Sequence, residues 1–217
     1  MCFHSKQSKA ATEVQNRFNA KIDNISLFSP QETINGFNFP LTPIIIDEAP
    51  GIITHYNWGL IPFWSQNEDI RKLTLNAKIE TLDEKPSFRN SVNKRCLVIA
   101  NGFYEWQWLD TKGKVKNKYE IGIGNEDLFA FAGIYSQWED ITTGSIRNTY
   151  AIITTEANQL MAEIHNTKKR MPVILKQEDE KKWLEHQPYQ EFAFPYNVSL
   201  EAHILGDQNS NAQISLF

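Results

Sequence analysis

The sequence has two cysteines, no apolar run of membrane length and no excess of positive charge, and each shortage removes a class of protein. Cys2 and Cys96 are too few for a disulfide scaffold in 217 residues, so each thiol needs its own account and a cytoplasmic setting is expected. The first residues carry His4, Lys6 and Lys9 but no signal-peptide stretch, and no apolar run has membrane length, so neither a signal peptide nor a membrane-spanning helix is expected. A net charge of -4 excludes a protein that coats nucleic acid by bulk electrostatics, so any phosphate contact must be local. Zinc-ligand spacing, a Walker A loop and a dinucleotide glycine fingerprint are all missing, so neither a metal nor a nucleotide cofactor is expected.

With 41% apolar residues and no composition shift, residues 1–217 read as one domain, with a monomer as the default state. Thr12 and Gln15 have capping-box spacing ahead of Val14, Phe18 and Ile22, which predicts a helix over about 13–23. Strand-like stretches cover 44–46, 52–56, 96–100, 103–108, 115–123, 128–134, 150–154 and 173–175. Thr155 is placed to cap a helix over 156–164, a second helix is expected over 177–186, and the tail over 206–213 reads as mobile. Runs of strands with helices at the ends predict an α+β fold: a mostly antiparallel sheet or open barrel with peripheral helices. Cys96, inside an apolar run, is expected to be a small buried hydrophobe.

Cys2 is different, because enzymes that remove initiator methionine accept a small second residue and would leave Cys2 at the N-terminus. An α-amine of pKa about 7.7–8.0 and a thiol near 8.5 would then share one residue. With an aldehyde, such a pair forms an imine and closes through sulfur to a five-membered thiazolidine. The alternative is an incidental residue at a flexible terminus.

Three polar positions lie in apolar surroundings. Asn76 offers an amide donor and acceptor to orient a sugar hydroxyl or an attacking amine, or else serves a turn. Glu105 stands among Phe103, Tyr104, Trp106 and Trp108, where desolvation would raise its pKa; on a strand it shares a face with Phe103 and Gln107. It is otherwise a surface carboxylate on a half-exposed strand. His165 ends a helix beside Lys168, Lys169 and Arg170, as an acid–base group or as a helix cap.

Met1-Cys2, the run from Trp58 to Trp64, Asn76-Ala77-Lys78, Gly102 to Trp106, Ile152 to Asn158 and His165 to Leu175 together resemble the SOS response-associated peptidase family of abasic-site processing proteins. The resemblance spans nearly the whole chain. It implies a β-rich fold with a DNA groove leading to Cys2 as covalent nucleophile, and single-stranded DNA with abasic sites as partner. It also implies Asn76 as a positioning residue, with Glu105 and His165 in sugar-ring opening and Schiff-base chemistry. Lys78 and Arg170 fall on phosphate-holding positions, and Pro40 with Trp64 on elements that wedge or stack beside the lesion. Family members commonly begin Met-Cys-Gly-Arg, whereas Phe3-His4-Ser5 follows Cys2 here, so His4 or Lys6 is expected to replace a phosphate-binding arginine. Lys78, where arginine is usual, offers a point charge in place of a planar fork. Two other readings stay open: an N-terminal-nucleophile hydrolase in which Cys2 attacks an amide, and a non-covalent single-stranded DNA binding module.

Overall fold

The computed structural model describes residues 2–125, 127–206 and 213–215. Along the chain the strands are β1 (His4–Gln7), β2 (Lys21–Ile22), β3 (Gln31–Asn35), β4 (Leu41–Ile46), β5 (Ile52–Trp58), β6 (Asn76–Lys78), β7 (Arg95–Ala100) and β8 (Gly102–Trp108). They continue as β9 (Lys116–Gly122), β10 (Phe129–Glu139), β11 (Ile146–Glu156), β12 (Arg170–Pro172), β13 (Ile174–Leu175), β14 (Glu201–Leu205) and β15 (Gln213–Ser215). Three short helices accompany them: α1 (Ala11–Phe18), α2 (Gln159–Ile164) and α3 (Glu180–Leu184). The α+β class read from the sequence is the one observed.

Five strands close into a barrel. β5, β4, β7, β10 and β11 follow one another through antiparallel pairs, and β11 returns to β5 through a parallel pair at Thr149–Asn57 and Tyr150–Trp58. An odd ring cannot alternate direction all the way round, so one parallel pair is obligatory. The barrel interior is filled by β-branched and aromatic side chains, among them Ile44, Val98, Phe131, Tyr150 and Ile152. β7 is buried along its whole length because α3 covers its outer side, where the Trp183 indole N–H donates to the Cys96 carbonyl at 3.1 Å. That double burial explains its unbroken apolar run.

The second sheet runs β15-β14-β9-β8-β1-β3 and takes the N-terminal segment as an interior strand. β1 escapes hydrophobic patterning because its residues are polar yet buried. Lys6 is accommodated by Glu120 at 2.7 Å and Glu32 at 3.1 Å.

Several boundaries differ from expectation. α1 starts at Ala11, with the Glu13 carboxylate accepting from the Ala10 N–H at 2.9 Å, and stops where Asn19 turns left-handed at φ 47°. Lys21 and Ile22, expected to be helical, form a strand instead. α2 is capped by Asn158, whose side chain accepts from the Met161 N–H; Thr155 and Glu156 belong to β11. The helix expected over 177–186 is a 3-10 turn over 177–179 followed by α3. Of the tail expected to be mobile, residues 207–212 lie outside the described residues, while Gln213 begins a strand on β14. No helix among the described residues is long and apolar enough to cross a membrane.

Candidate active site

β11 organises the site because it has different neighbours along its length. Its first part pairs with β5 on one edge and β10 on the other; its last part, Ile152–Glu156, pairs with β6 and β12. This change of partners brings Asn76–Lys78 and Arg170–Pro172 to opposite sides of Thr154. The N-terminus arrives from the second sheet, where His4 pairs with Tyr104 of β8 and Asn35 of β3.

Two hydrogen bonds fix the segment ahead of β1. The Asn76 amide donates to the Cys2 carbonyl at 2.9 Å, and the Gly36 N–H donates to the Phe3 carbonyl at 2.8 Å. Gly36 packs tightly there: a Cβ would stand 3.1 Å from the Trp58 ring, which would have to shift by a few tenths of an ångström. Asn76 is buried, and its Oδ1 has no hydrogen-bond partner, so an acceptor remains beside Cys2.

Cys2 is fully buried among Trp58, Leu75, Phe103 and Tyr150, contrary to the exposed terminus expected from position alone. Burial raises its thiol pKa well above the ordinary range, and the nearby Glu105 charge raises it further. In the chain that carries Met1 the thiol is therefore neutral at physiological pH, whereas the thiol pKa of about 8.5 read from the sequence is that of Cys2 as the N-terminal residue. Met1 itself lies outside the described residues. Cys96 is fully buried, as its apolar run implied.

Glu105 lies on β8, where cross-strand pairing confirms that Tyr104, Trp106 and Trp108 alternate with Phe103, Glu105 and Gln107. It is 5% exposed, and burial lifts its carboxyl from 4.5 to about 7. The surface-carboxylate alternative is thereby removed. A carboxyl that titrates near 7 can both give and take a proton at neutral pH.

His165 does end α2, as a helix cap would, but its ring has a further task. Its Nδ1 lies 2.8 Å from the Arg170 carbonyl, which can only accept, so Nδ1 carries the proton and the lone pair is on Nε2. This contact is preferred over the 3.4 Å approach of the Arg170 N–H to the same nitrogen. Burial lowers the His165 pKa, so the ring is a neutral base.

Arg170 is engaged by the protein itself. Its guanidinium forks onto Glu80 at 2.9 and 2.8 Å and donates to the Thr154 carbonyl at 2.8 Å, clasping the 3-10 turn Ile79–Thr81 after β6 to β12 across β11. Against its own burial, the Glu80 carboxyl is held below the usual range by these bonds and the Arg170 charge. Arg170 thus has protein partners for its terminal nitrogens while its buried Nε has none, and Glu80 is the residue that sequence reading missed; only its 90-residue-distant partner gives it meaning. Removing one member of a fully buried pair costs about 3–5 kcal/mol. Because Glu80 is 35% exposed, Glu80→Ala is expected to cost about 2 kcal/mol by urea unfolding. An unchanged midpoint would show that the clasp is incidental.

The other basic and aromatic positions are spread around this centre. Lys78 is exposed at the end of β6, opposite Thr154. Trp64 is 45% exposed, with its indole N–H on the Pro86 carbonyl at 3.3 Å, and half-buried Pro40 accepts from the Trp58 N–H at 2.9 Å. Pro40 thus reaches the Cys2 cluster through Trp58, while the bond of Trp64 is to Pro86. His4 packs edge-on against Trp106 at 4.9 Å; burial, then the Lys118 charge, lowers its pKa and leaves it uncharged. Lys6 is held by Glu120 and Glu32. Neither residue presents the cation that an arginine after Cys2 would supply.

The chain matches the family described as SOS response associated peptidase over residues 1–206. It is 46% identical over 142 residues to the abasic site processing protein YoqW of Bacillus subtilis, a match covering 65% of this chain and 61% of that one. It is 33% identical over 168 residues to the abasic site processing protein HMCES of Pongo abelii, covering 64% of this chain and 47% of the other. The matched segment thus spans less than two thirds of either relative's length. In three dimensions it resembles a crystal structure of a protein from Bacteroides thetaiotaomicron, with a TM-score of 0.84, 39% identity, and coverage of 95% of this chain and 93% of that chain.

Proposed function

Because this chain belongs to the SOS response associated peptidase family, we propose that it processes abasic sites in single-stranded DNA by covalent capture through Cys2. The carrying observation is the buried Cys2, bonded to Asn76 and electrostatically coupled to a carboxyl whose pKa is about 7. Curated relatives are named abasic site processing proteins, which supports the same substrate class.

The chemistry balances without a cofactor. Hydrolysis of Met1 leaves the α-amine on Cys2. Protonated Glu105 donates to the sugar ring oxygen as the hemiacetal opens, freeing the C1′ aldehyde. The amine adds to that carbon and one water leaves, giving an imine; sulfur then adds to the same carbon while its proton passes to nitrogen. Glu105 and His165 Nε2 supply and accept these protons, and Asn76 holds the residue that bears both nucleophiles. We place the reaction in the cytoplasm, where free, buried thiols such as Cys2 and Cys96 persist.

The raised thiol pKa favours this route over amide hydrolysis. A cysteine hydrolase attacks as thiolate and needs a depressed pKa. Here burial and Glu105 act in the opposite direction. In the proposed route the amine acts first, and sulfur then meets the activated C1′ carbon already bonded to the nitrogen of its own residue.

Mixing purified protein with a single strand carrying one abasic site is expected to give a band that survives denaturing electrophoresis. The intact strand gives none. Equal, reversible binding of both strands with no surviving band would instead establish a plain single-stranded DNA binder.

A further inference from the structure

An acidic chain that places lysine at 112, 114, 116 and 118 concentrates positive charge on one short hairpin. The fold determines where that charge goes. β9 pairs with β8 so that Lys116 faces Trp108, Lys118 faces Trp106 and Glu120 faces Tyr104. Directly paired residues share a sheet face, so Trp108, Trp106, Lys116 and Lys118 form one ladder on the side opposite Glu105, closed at its end by buried Tyr104 and by Glu120, which is paired with Lys6. The Lys116 ammonium lies 4.9 Å from the Trp108 ring centre, and that of Lys118 lies 4.2 Å from Tyr104 and 5.8 Å from Trp106. Trp106 and Trp108 are half-buried and Lys116 is exposed.

The ladder is built firmly and leads to the site. Gly113 packs on the Trp108 indole so closely that a Cβ would stand 2.7 Å from it. Asn166 clamps the Trp108 backbone, accepting from its N–H at 3.2 Å and donating to its carbonyl at 2.8 Å, immediately after His165. An open cleft of about 570 Å³ adjoins Trp108, Leu109 and Asn166. At the other end, Trp106 contacts His4, two residues from Cys2.

From these contacts we infer that the β8–β9 ladder is a docking track for the single strand that flanks the captured nucleotide. This deepens the proposed function and rests on it. Charge complementarity selects the occupant: aromatic faces alternating with ammonium groups suit bases joined by phosphates. An exposed cation–π contact favours its bound state by about 2- to 5-fold. Base stacking favours its own by about 5- to 150-fold, so a base displaces the lysine, which then turns to a phosphate. Tyr104 is buried, so the accessible track runs from Trp106 to Trp108, about 7 Å at 3.3 Å per residue. At 3.4 Å per nucleotide of stacked strand, that accommodates about two nucleotides.

The test is fluorescence anisotropy with an intact labelled strand of about a dozen nucleotides, read over a salt series. It compares wild type, Lys116→Ala/Lys118→Ala, Trp108→Ala, Trp108→Phe and the control Lys181→Ala/Lys182→Ala. Loss of two phosphate contacts is expected to flatten the log–log salt slope by about 1.4, and the control leaves it unchanged. Trp108→Ala is expected to lose about 5-fold or more in affinity, and Trp108→Phe to keep most of it. Unchanged slope and affinity in the lysine and tryptophan variants would overturn the track. A denaturing gel run in parallel with an abasic strand bearing single-nucleotide arms reads capture alone. The lysine variant should match wild type there, so a failed track and a failed capture are told apart.

Discussion

Replacing Cys2 by serine is expected to leave the fold intact and to abolish the adduct that survives denaturation. Serine is close to cysteine in size, and its hydroxyl inherits the neighbouring His4 carbonyl, to which the thiol donates at 3.4 Å. The variant keeps the α-amine, so an imine still forms and can be trapped by borohydride, but no thiol closes the ring. Intramolecular closures reach effective molarities of about 10⁵ M or more, so adduct persistence should fall by on the order of 1,000-fold or more. Cys2→Ala should behave alike. A stable adduct from either variant would move the covalent bond to another residue.

The second large effect belongs to Glu105. Its folded pKa of about 7 lies above the 4.5 of the unfolded chain. Below pH 4.5 both states are protonated and the burial costs nothing. As pH rises through 4.5 the unfolded chain ionises more easily, so native stability is lost progressively up to about pH 7. The full cost is about 3 kcal/mol, at 1.36 kcal/mol per pKa unit. Glu105→Gln removes the ionisation, so the variant should match wild type near pH 4 and melt about 6–12 °C higher at pH 8. Capture should change in the opposite direction, slowing by about 100-fold or more and losing its inflection near pH 7. A variant that is both more stable and equally fast would leave Glu105 without a chemical role.

These two residues also show how far the sequence could be read. Glu105 was legible because the alternation of its strand is clear: it shares a face with Phe103, and the burial of that face shifts it. Cys2 was legible as a nucleophile but not as a buried one. Its cover comes from Trp58, Leu75 and Tyr150, which the barrel gathers from distant segments. The large strands followed from β-branched and aromatic runs, whereas β1 was invisible because ion pairs compensate the burial of its polar residues. The parallel closure of β11 on β5 follows from the odd strand count of the ring, which no local pattern encodes. The same holds for the ion pair of Arg170, whose partner Glu80 comes from 90 residues away.

Intact mass of the adduct, measured before and after borohydride treatment, tests covalent capture through the N-terminal cysteine most directly. The account predicts the mass of the chain without Met1 plus the oligonucleotide minus one water, unchanged by borohydride because a thiazolidine offers no imine to reduce. An adduct that still carries Met1, or one that gains two hydrogens on reduction, would contradict it.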